Sequence, residues 1–169
     1  MNERQTDKLL VKIAQGDKYA LEELYEQTKR GVFAFLYSYL KNYESCEDVM
    51  QTVYLKIKIN AEKYVPGTNG RAWILQIAKN LALDEIKKNS RTYLPDREQT
   101  YSLQNYYGVS EVMEKVLSSE EREIVILHVL WGYKHREIAA MLNCPTGTVT
   151  SKYKRSIKKL QTALKEVNA

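Results

Sequence analysis

Residues 143–160 read NCPTGTVTSKYKRSIKKL, and this stretch combines two patterns that point to one kind of helix. Between Pro145 and Lys165 the chain has six basic residues and no acidic one. Apolar side chains recur there at helical spacing, at Val149, Tyr153, Ile157, Leu160 and Leu164. The spacing predicts a helix over 145–165 that packs one face on its own domain and turns a cationic face to solvent.

The residues just before this helix indicate a helix-turn-helix. Residues 134–142 form a short helical pattern. The side chains predicted to be buried in it are Ile138, Ala139 and Leu142. Asn143 follows where the chain must turn sharply, and asparagine tolerates the left-handed conformation better than most residues do. Pro145 suits the first turn of the next helix.

In a helix-turn-helix the second helix lies in the major groove, where its first residues contact base edges and its flanks contact phosphates. The side chains predicted to contact DNA are Thr148, Thr150, Ser151, Lys152, Lys154, Arg155, Lys158 and Lys159. The alternative is a solvated basic face on a plain bundle helix, which is the commoner origin of a charge run. The coincidence of a cationic face, absent acids and turn residues favours DNA binding.

The whole chain of 169 residues is predicted to be all-α, because 44% hydrophobic residues support a core and only seven glycines and three prolines are present. Helical patterns are predicted over 6–14, 18–29, 32–40, from 44 or 45 to 57, and over 71–89, 111–117, 119–130, 134–142 and 145–165. The period is lost over 90–109. We therefore predict two small helical domains, 1–89 and 110–169, joined by a flexible linker at 90–109.

Charge, cysteine content and hydropathy indicate where the protein acts and which class of partner it binds. The net charge of +5 is concentrated in the last 25 residues, which favours a polyanionic partner. Cys46 and Cys144 form no CxxC pair and are predicted to be small buried hydrophobes. No signal peptide is recognisable, and no apolar run approaches the roughly 20 residues that span a bilayer. The chain is predicted to be cytoplasmic, without membrane insertion.

Two further helices carry polar faces. On the helix over 46–57, Glu47, Asp48, Gln51 and Thr52 lie opposite the apolar stripe. Such a patch of acids and amides suits a basic partner, the alternative being an ordinary solvated face. On the helix over 71–89, the polar face comprises Gln76, Asn80, Asp84 and Lys87, with Lys79 and Lys88 at its flanks. Amides can hydrogen-bond unpaired bases and lysines can contact phosphates.

CEDVMQTVYLKI at 46–57 and GRAWILQIAKNLALDEIKKN at 70–89 resemble region 2 of the extracytoplasmic-function (ECF) sigma factors of bacterial RNA polymerase. LSSEEREIVILHVLWGYKHREIAAMLNCPTGTVTSKYKRSIKKL at 117–160 is similar to their region 4. The three segments stand in the family's order, with a linker where the family has one.

The resemblance implies a transcription initiation factor that binds core RNA polymerase and directs it to specific promoters. Region 2, at 1–89, would bind the polymerase β′ clamp through the polar patch at 47–52 and would recognise and melt the −10 element. Region 4, at 110–169, would read the −35 element and contact the β flap. An anti-sigma factor is implied as a further partner.

The residues that the resemblance places at the −10 element are Lys63, Tyr64, Asn69, Gln76, Lys79, Asn80, Asp84 and Lys87. The first three belong to the loop where the family captures a flipped base. Two alternatives stay open for Tyr64, namely stacking on such a base and filling the core.

The sequence offers no catalytic constellation, since His128 and His135 lack a metal-ligand or Ser/Asp partner pattern. We therefore predict no enzyme, metal or cofactor. The main alternative is a ligand-responsive helix-turn-helix repressor, which would need an apolar ligand cavity and a dimer face and would bind duplex operator without polymerase. An adaptor of polymerase that reads no promoter is disfavoured by the cationic helix.

Overall fold

A computed structural model describes residues 3–91 and 107–167, with side chains over 3–89 and 112–165, and every regular element in these ranges is helical. In chain order they are α1 (Glu3–Ala14), α2 (Lys18–Leu40), α3 (Tyr43–Asn60), a 3₁₀ turn (Ala61–Lys63), α4 (Gly70–Arg91), α5 (Tyr107–Val116), α6 (Ser119–Val129), α7 (His135–Met141) and α8 (Thr146–Val167). The predicted all-α class with two helical domains is confirmed. The predicted linker at 90–109 overlaps the ends of α4 and α5, and the rest of it lies outside the described residues.

The chain divides into two units, Met1–Tyr93 and Leu94–Ala169. In the first, α1 to α4 pack on one another around a core of fully buried side chains. Its largest members are Leu10, Leu24, Val32, Leu36, Val53, Ile57, Ile74 and Leu75. Within the residues that the structure describes, no helix is both long and apolar enough to cross a bilayer.

Helix α2 is one continuous helix, where the sequence predicted two separated near Gly31. Its buried stripe of Ala20, Leu24, Thr28 and Val32 runs through that position without a change of phase. A glycine in a helix interior costs about 1 kcal/mol relative to alanine. Burial of the continuous stripe on both sides outweighs that cost.

Helices α3 and α4 also differ from the predicted pattern in detail. Helix α3 begins at Tyr43, because the Asn42 side chain caps it by accepting from the Ser45 N–H at 2.8 Å. The helical spacing over 71–89 predicts that Ile74 and Ile86 point inward. Helix α4 packs against α1, α2 and α3, so it buries Leu75 as well as Ile74. Ile86, which was predicted to point inward, is 40% exposed, one turn beyond the last buried residue of α4.

The second unit packs α5, α6 and α7 against α8. Helices α5 and α6 are separate, because Ser118 adopts an extended conformation and caps α6. Its side chain accepts from the Glu121 N–H, while the Glu121 carboxylate accepts from the Ser118 N–H. This reciprocal capping box fixes the start of α6.

The turn between α7 and α8 follows the sequence prediction. Asn143 has a left-handed φ of 50°, as expected for a sharp turn. Pro145 lies just before the first residue of α8 instead of inside its first turn, and its carbonyl accepts from the Thr148 N–H.

The two cysteines differ in burial. Cys46 is fully buried, and burial raises the pKa of its thiol to about 12, whereas Cys144 is only half-buried.

Candidate nucleic-acid interface

Helix α8 presents one continuous polar and cationic face. Ser151, Lys154, Arg155 and Lys158 are all exposed and are spaced at i, i+3, i+4 and i+7. The opposite side of the helix is anchored in the unit. Its buried residues are Val149, Ser156 and Leu160. The exposed face is therefore held in place by the packing of the other side.

Lys159, which the sequence predicts to contact DNA, forms an ion pair within the unit. Its Nζ donates to both carboxylate oxygens of Glu121 on α6, at 3.0 and 2.9 Å. The Glu121 side chain is only 8% exposed. Burial alone would raise the pKa of Glu121, but the hydrogen bonds from Lys159 and from the Ser118 N–H outweigh it, so the pKa lies below its usual range. Lys159 thus holds α8 on α6.

Lys152 and Thr150 are also engaged within the unit. Lys152 is half-buried and forms an ion pair with Glu120, which is itself exposed. Thr150 donates its hydroxyl proton to the Thr146 carbonyl at 3.0 Å and lies 3.1 Å from His135 Nδ1. Thr148 is half-buried in the first turn of α8. Thr150, predicted to contact DNA, therefore uses its hydroxyl inside the domain.

A cluster of three rings, which the sequence did not indicate, joins α6, α7 and α8. His128, His135 and Tyr153 have ring centroids 4.6 to 5.0 Å apart. His128 Nδ1 lies 2.8 Å from the Tyr133 carbonyl, which only accepts, so this nitrogen carries the proton. His135 Nδ1 lies within hydrogen-bond distance of the Thr150 hydroxyl, and its buried Nε2 has no hydrogen-bond partner in the described part of the chain.

This environment keeps His135 neutral. Burial, followed by the nearby His128 and Lys154, lowers the pKa of His135 below its usual 6.5. The rings belong to three helices, so periodicity within one helix gives no sign of the cluster. Among residues 3–89 and 112–165, no group of three or more His, Cys, Asp or Glu side chains is arranged to hold a metal ion.

The polar face predicted on α4 is exposed. Gln76, Asn80, Asp84 and Lys87 all reach solvent, and Gln76 Nε2 donates to Asn80 Oδ1 at 2.9 Å. Lys79 is half-buried, with its Nζ 5.8 Å from the centre of the Tyr39 ring. The two amides are thus linked into one hydrogen-bonding unit.

The loop before α4 is more tightly held than the sequence suggested. Tyr64 is 5% exposed and donates its hydroxyl proton to Asp7 on α1, so the geometry supports the core alternative and not base stacking. Asn69, at φ 72°, uses its side-chain oxygen to cap α4 by accepting from the Ala72 N–H at 3.0 Å. Lys63 stays exposed, and its Nζ donates to Asn60 Oδ1.

The acid-and-amide patch on α3 is also exposed and extends further than predicted. Glu47, Asp48 and Gln51 reach solvent, while Thr52 is half-buried with its hydroxyl bonded to the Asp48 carbonyl. Further along the same helix, Leu55 is 56% and Ile59 is 66% exposed. The sequence offered a signal for this apolar extension, since both residues lie off the buried stripe.

Comparisons with known proteins agree with this arrangement of two helical units. A family model for sigma-70 region 2 matches residues 24–92, and a model for sigma-70 region 4 matches residues 115–160, so together they cover more than half of the chain. The chain belongs to the ECF sigma factors. As such it is a transcription initiation factor that binds core RNA polymerase and directs it to specific promoters, and a ligand-responsive repressor is not favoured.

Individual relatives of this ECF sigma factor are distant but match over most of their length. It is 23% identical over 181 residues to ECF RNA polymerase sigma factor SigW of Bacillus subtilis, with 95% of this chain and 97% of that one covered. It is 25% identical over 158 residues to ECF RNA polymerase sigma factor SigC of Mycobacterium tuberculosis, with 88% and 85% covered.

Two solved structures share the fold of this ECF sigma factor. CnrH, solved in complex with the cytosolic domain of CnrY, matches with a TM-score of 0.68 at 20% identity, over 96% of this chain and 98% of that one. Sigma factor RpoE from Bartonella quintana, solved with the anti-sigma factor NepR, matches with a TM-score of 0.66 at 23% identity, over 85% and 95%.

Proposed function

We propose that this ECF sigma factor reads the −35 element through the exposed face of α8. The supporting observation is that Ser151, Lys154, Arg155 and Lys158 share one face while the rest of the helix is anchored. Arg155 is the candidate for a bidentate contact to guanine, and the lysines suit phosphates. Lys152 can exchange its exposed partner Glu120 for a phosphate, because surface ion pairs contribute little.

At the −10 element, we propose that the linked amides of Gln76 and Asn80 contact unpaired bases. Bases expose their hydrogen-bonding edges fully only when the strands part. We propose that the exposed Lys63 and Lys87 contact the phosphates of the opened strand. Asp84 is exposed on the same face, where its carboxylate does not attract phosphate.

The exposed patch on α3 is proposed to bind the β′ clamp of the polymerase. Glu47, Asp48 and Gln51 supply charge and hydrogen-bond acceptors, and the adjoining Leu55 and Ile59 supply apolar area. A partly apolar centre with a polar rim is typical of protein interfaces.

The remaining assignments rest on the family. We propose that 1–89 acts as region 2, 90–109 as the linker and 110–169 as region 4, with the β flap as the partner of region 4. An anti-sigma factor is a proposed regulator, because sigma factors of similar fold have been solved with such partners. The protein is proposed to act in the cytoplasm, where polymerase acts, and without catalytic activity of its own.

The −35 assignment is tested on a promoter that core polymerase and the wild-type protein select from a randomised library. Binding to this promoter and transcription from it are then measured for variants of α8. Arg155→Ala is expected to weaken binding to that promoter by about 1–3 kcal/mol and to relax selectivity at one base. Lys158→Ala should weaken all sequences alike and reduce the salt slope by roughly one unit. Unchanged selectivity in Arg155→Ala would place base reading on another face of α8.

A further inference from the structure

The carboxylate of Asp7 joins α1 to the loop that leads into α4. Its Oδ1 accepts from the Tyr64 hydroxyl at 2.5 Å and from the Gly70 N–H at 2.9 Å. Its Oδ2 accepts from the Gly67 N–H at 3.2 Å. The donors are spaced along the loop, so the loop wraps around one acceptor-only group. Hydrogen bonds to an ionised acceptor are the stronger kind, and this one also lies at the N-terminus of α4.

The end of the loop is pressed against α1 at Gly70. A Cβ built at Gly70 would lie 2.8 Å from Leu10 Cδ1 and 2.9 Å from Asp7 Oδ1, so any larger residue would push these side chains out of place. The neighbouring side chain of Thr6 is fully buried. The contact therefore holds the first residue of α4 closely against α1.

Tyr64 carries the same constraint into the first turn of α4. Its ring lies 5.4 Å from the ring of Trp73, centre to centre. Burial and the hydrogen bond to Asp7 raise the pKa of Tyr64 to about 12, so its hydroxyl keeps its proton and remains a donor. The contacts of Asp7 and Tyr64 thus reach Trp73 in the first turn of α4. The next turn of the same helix carries Gln76, whose amide is bonded to Asn80.

We propose that Asp7 is a positioning residue for −10 recognition. By holding the loop and the start of α4, it sets the direction in which Gln76 and Asn80 meet the opened strand. The inference rests on the proposed role of α4 at the −10 element. It gives α1 a role in −10 recognition, although α1 precedes residue 24, the first residue that the region 2 family model matches. Asp7 itself touches no DNA.

The test uses the full-length protein bound to core polymerase. The probes are a single-stranded oligonucleotide carrying the −10 non-template strand of the library-selected promoter and a scrambled oligonucleotide of equal length. Fluorescence anisotropy gives the discrimination between the two for Asp7→Ala, Asp7→Asn, Gly70→Ala, Tyr64→Phe and Asn80→Ala. Asp17→Ala is the matched control, because Asp17 is also a helix-bound carboxylate, but one that caps α2 by accepting from Tyr19 and Ala20.

We expect a roughly tenfold loss of discrimination in Asp7→Ala, which removes the acceptor of all three hydrogen bonds, and in Gly70→Ala, which crowds the same carboxylate. Asp7→Asn and Tyr64→Phe keep side-chain volume and should lose less. Core polymerase affinity and −35 duplex binding should stay at the wild-type level in all of them. Asp17→Ala should destabilise the fold without changing discrimination.

Two results would overturn the inference. One is wild-type discrimination in Asp7→Asn and Tyr64→Phe, which are the variants best able to fold. The other is an equal loss in Asp17→Ala, which would make the effect one of stability alone. If Asn80→Ala loses discrimination and the Asp7 variants do not, the positioning role fails while the function of α4 stands. If Asn80→Ala also keeps discrimination, the proposed −10 face itself is wrong.

Discussion

Lys158 and Lys159 are adjacent on α8, yet they face different surroundings. Lys158 is exposed, whereas Lys159 Nζ is bonded to both oxygens of Glu121, a carboxylate that is almost fully buried. A buried charge that loses its partner is costly, because nothing replaces the water that it gave up on folding. The two lysines therefore have separate roles, although their sequence context is nearly the same.

Replacement of Lys159 is expected to affect stability more than DNA binding. Lys159→Ala should lower the free energy of unfolding by about 1–3 kcal/mol, because it leaves Glu121 buried without its counter-ion. Lys158→Ala, the matched control, should stay within about 0.5 kcal/mol of wild type. Urea unfolding followed by circular dichroism compares them, and equal stability of the two variants would contradict the assignment.

The ion pair between Lys159 and Glu121 predicts part of the loss of stability at low pH. The pKa of Glu121 in the folded protein is below its usual 4.5, so the pair contributes stability above that pH. The contribution is lost as the pH falls through the lower folded-state pKa. Lys159→Ala should therefore show a flatter loss of stability below pH 4.5 than wild type, measured in the same unfolding series.

At the scale of elements, the junction of α6, α7 and α8 orients the helix proposed to read DNA. His135 bonds to Thr150 on α8 and contacts the rings of His128 and Tyr153. A second proton on His135 would place a charge on a buried nitrogen without a partner, beside His128 and Lys154. The junction therefore favours the neutral form of the His135 imidazole.

This arrangement predicts a pH dependence with a definite sign. The pKa of His135 is lower in the folded protein than its ordinary 6.5, so the unfolded chain binds the proton first as the pH falls. The contribution of His135 to the free energy of unfolding is therefore complete above pH 6.5. It decreases as the pH falls from 6.5 to the folded-state pKa. His135→Phe, which cannot titrate, should show a smaller decline between pH 7 and 5. An identical slope in the two proteins would exclude His135 as the titrating group.

The exposed face of α3 is expected to tolerate charge reversal without loss of fold. Asp48→Arg combined with Gln51→Arg should abolish capture of core polymerase, because both side chains lie in the patch proposed to bind the clamp. Glu22→Arg with Gln27→Arg makes the same change of charge on the exposed side of α2 and should leave capture intact. Pull-down with circular dichroism as the folding check separates the two pairs. Wild-type capture by the α3 variant would remove the clamp assignment.

At the scale of the whole molecule, each unit has a core of its own. Fully buried residues such as Leu24 and Ile74 pack among α1 to α4, while Val112, Leu117, Val125 and Leu160 form a cluster in the second unit. A domain with its own core can fold alone. The division falls between Tyr93 and Leu94.

Fragments 1–93 and 94–169 are therefore expected to fold independently. Each should give a helical circular dichroism spectrum and a cooperative thermal transition, since each keeps its buried cluster. The first should retain binding to core polymerase, and the second should retain binding to duplex DNA that carries the −35 element. Loss of cooperativity in either fragment would show that its core depends on the other unit.

The sequence by itself determined the helices, the turn at Asn143 and the exposed polar faces of α3, α4 and α8. These features follow from the 3.6-residue period and from turn chemistry, which act between residues a few positions apart. Its errors arose where a local signal was overruled. Gly31 did not break α2, because the buried stripe continues through it, and Ile86 is exposed, because the buried part of α4 ends before it.

Only the tertiary structure decided which polar groups are used inside the protein. Lys159 meets Glu121 across 38 residues, and Tyr64 meets Asp7 across 57. His128, His135 and Tyr153 come together from three helices. Such pairs depend on how helices cross, and the crossing is set by the packing of the entire core. A charge or a ring on an exposed-looking face is therefore assigned to DNA or to the fold only when its neighbours from other helices are known.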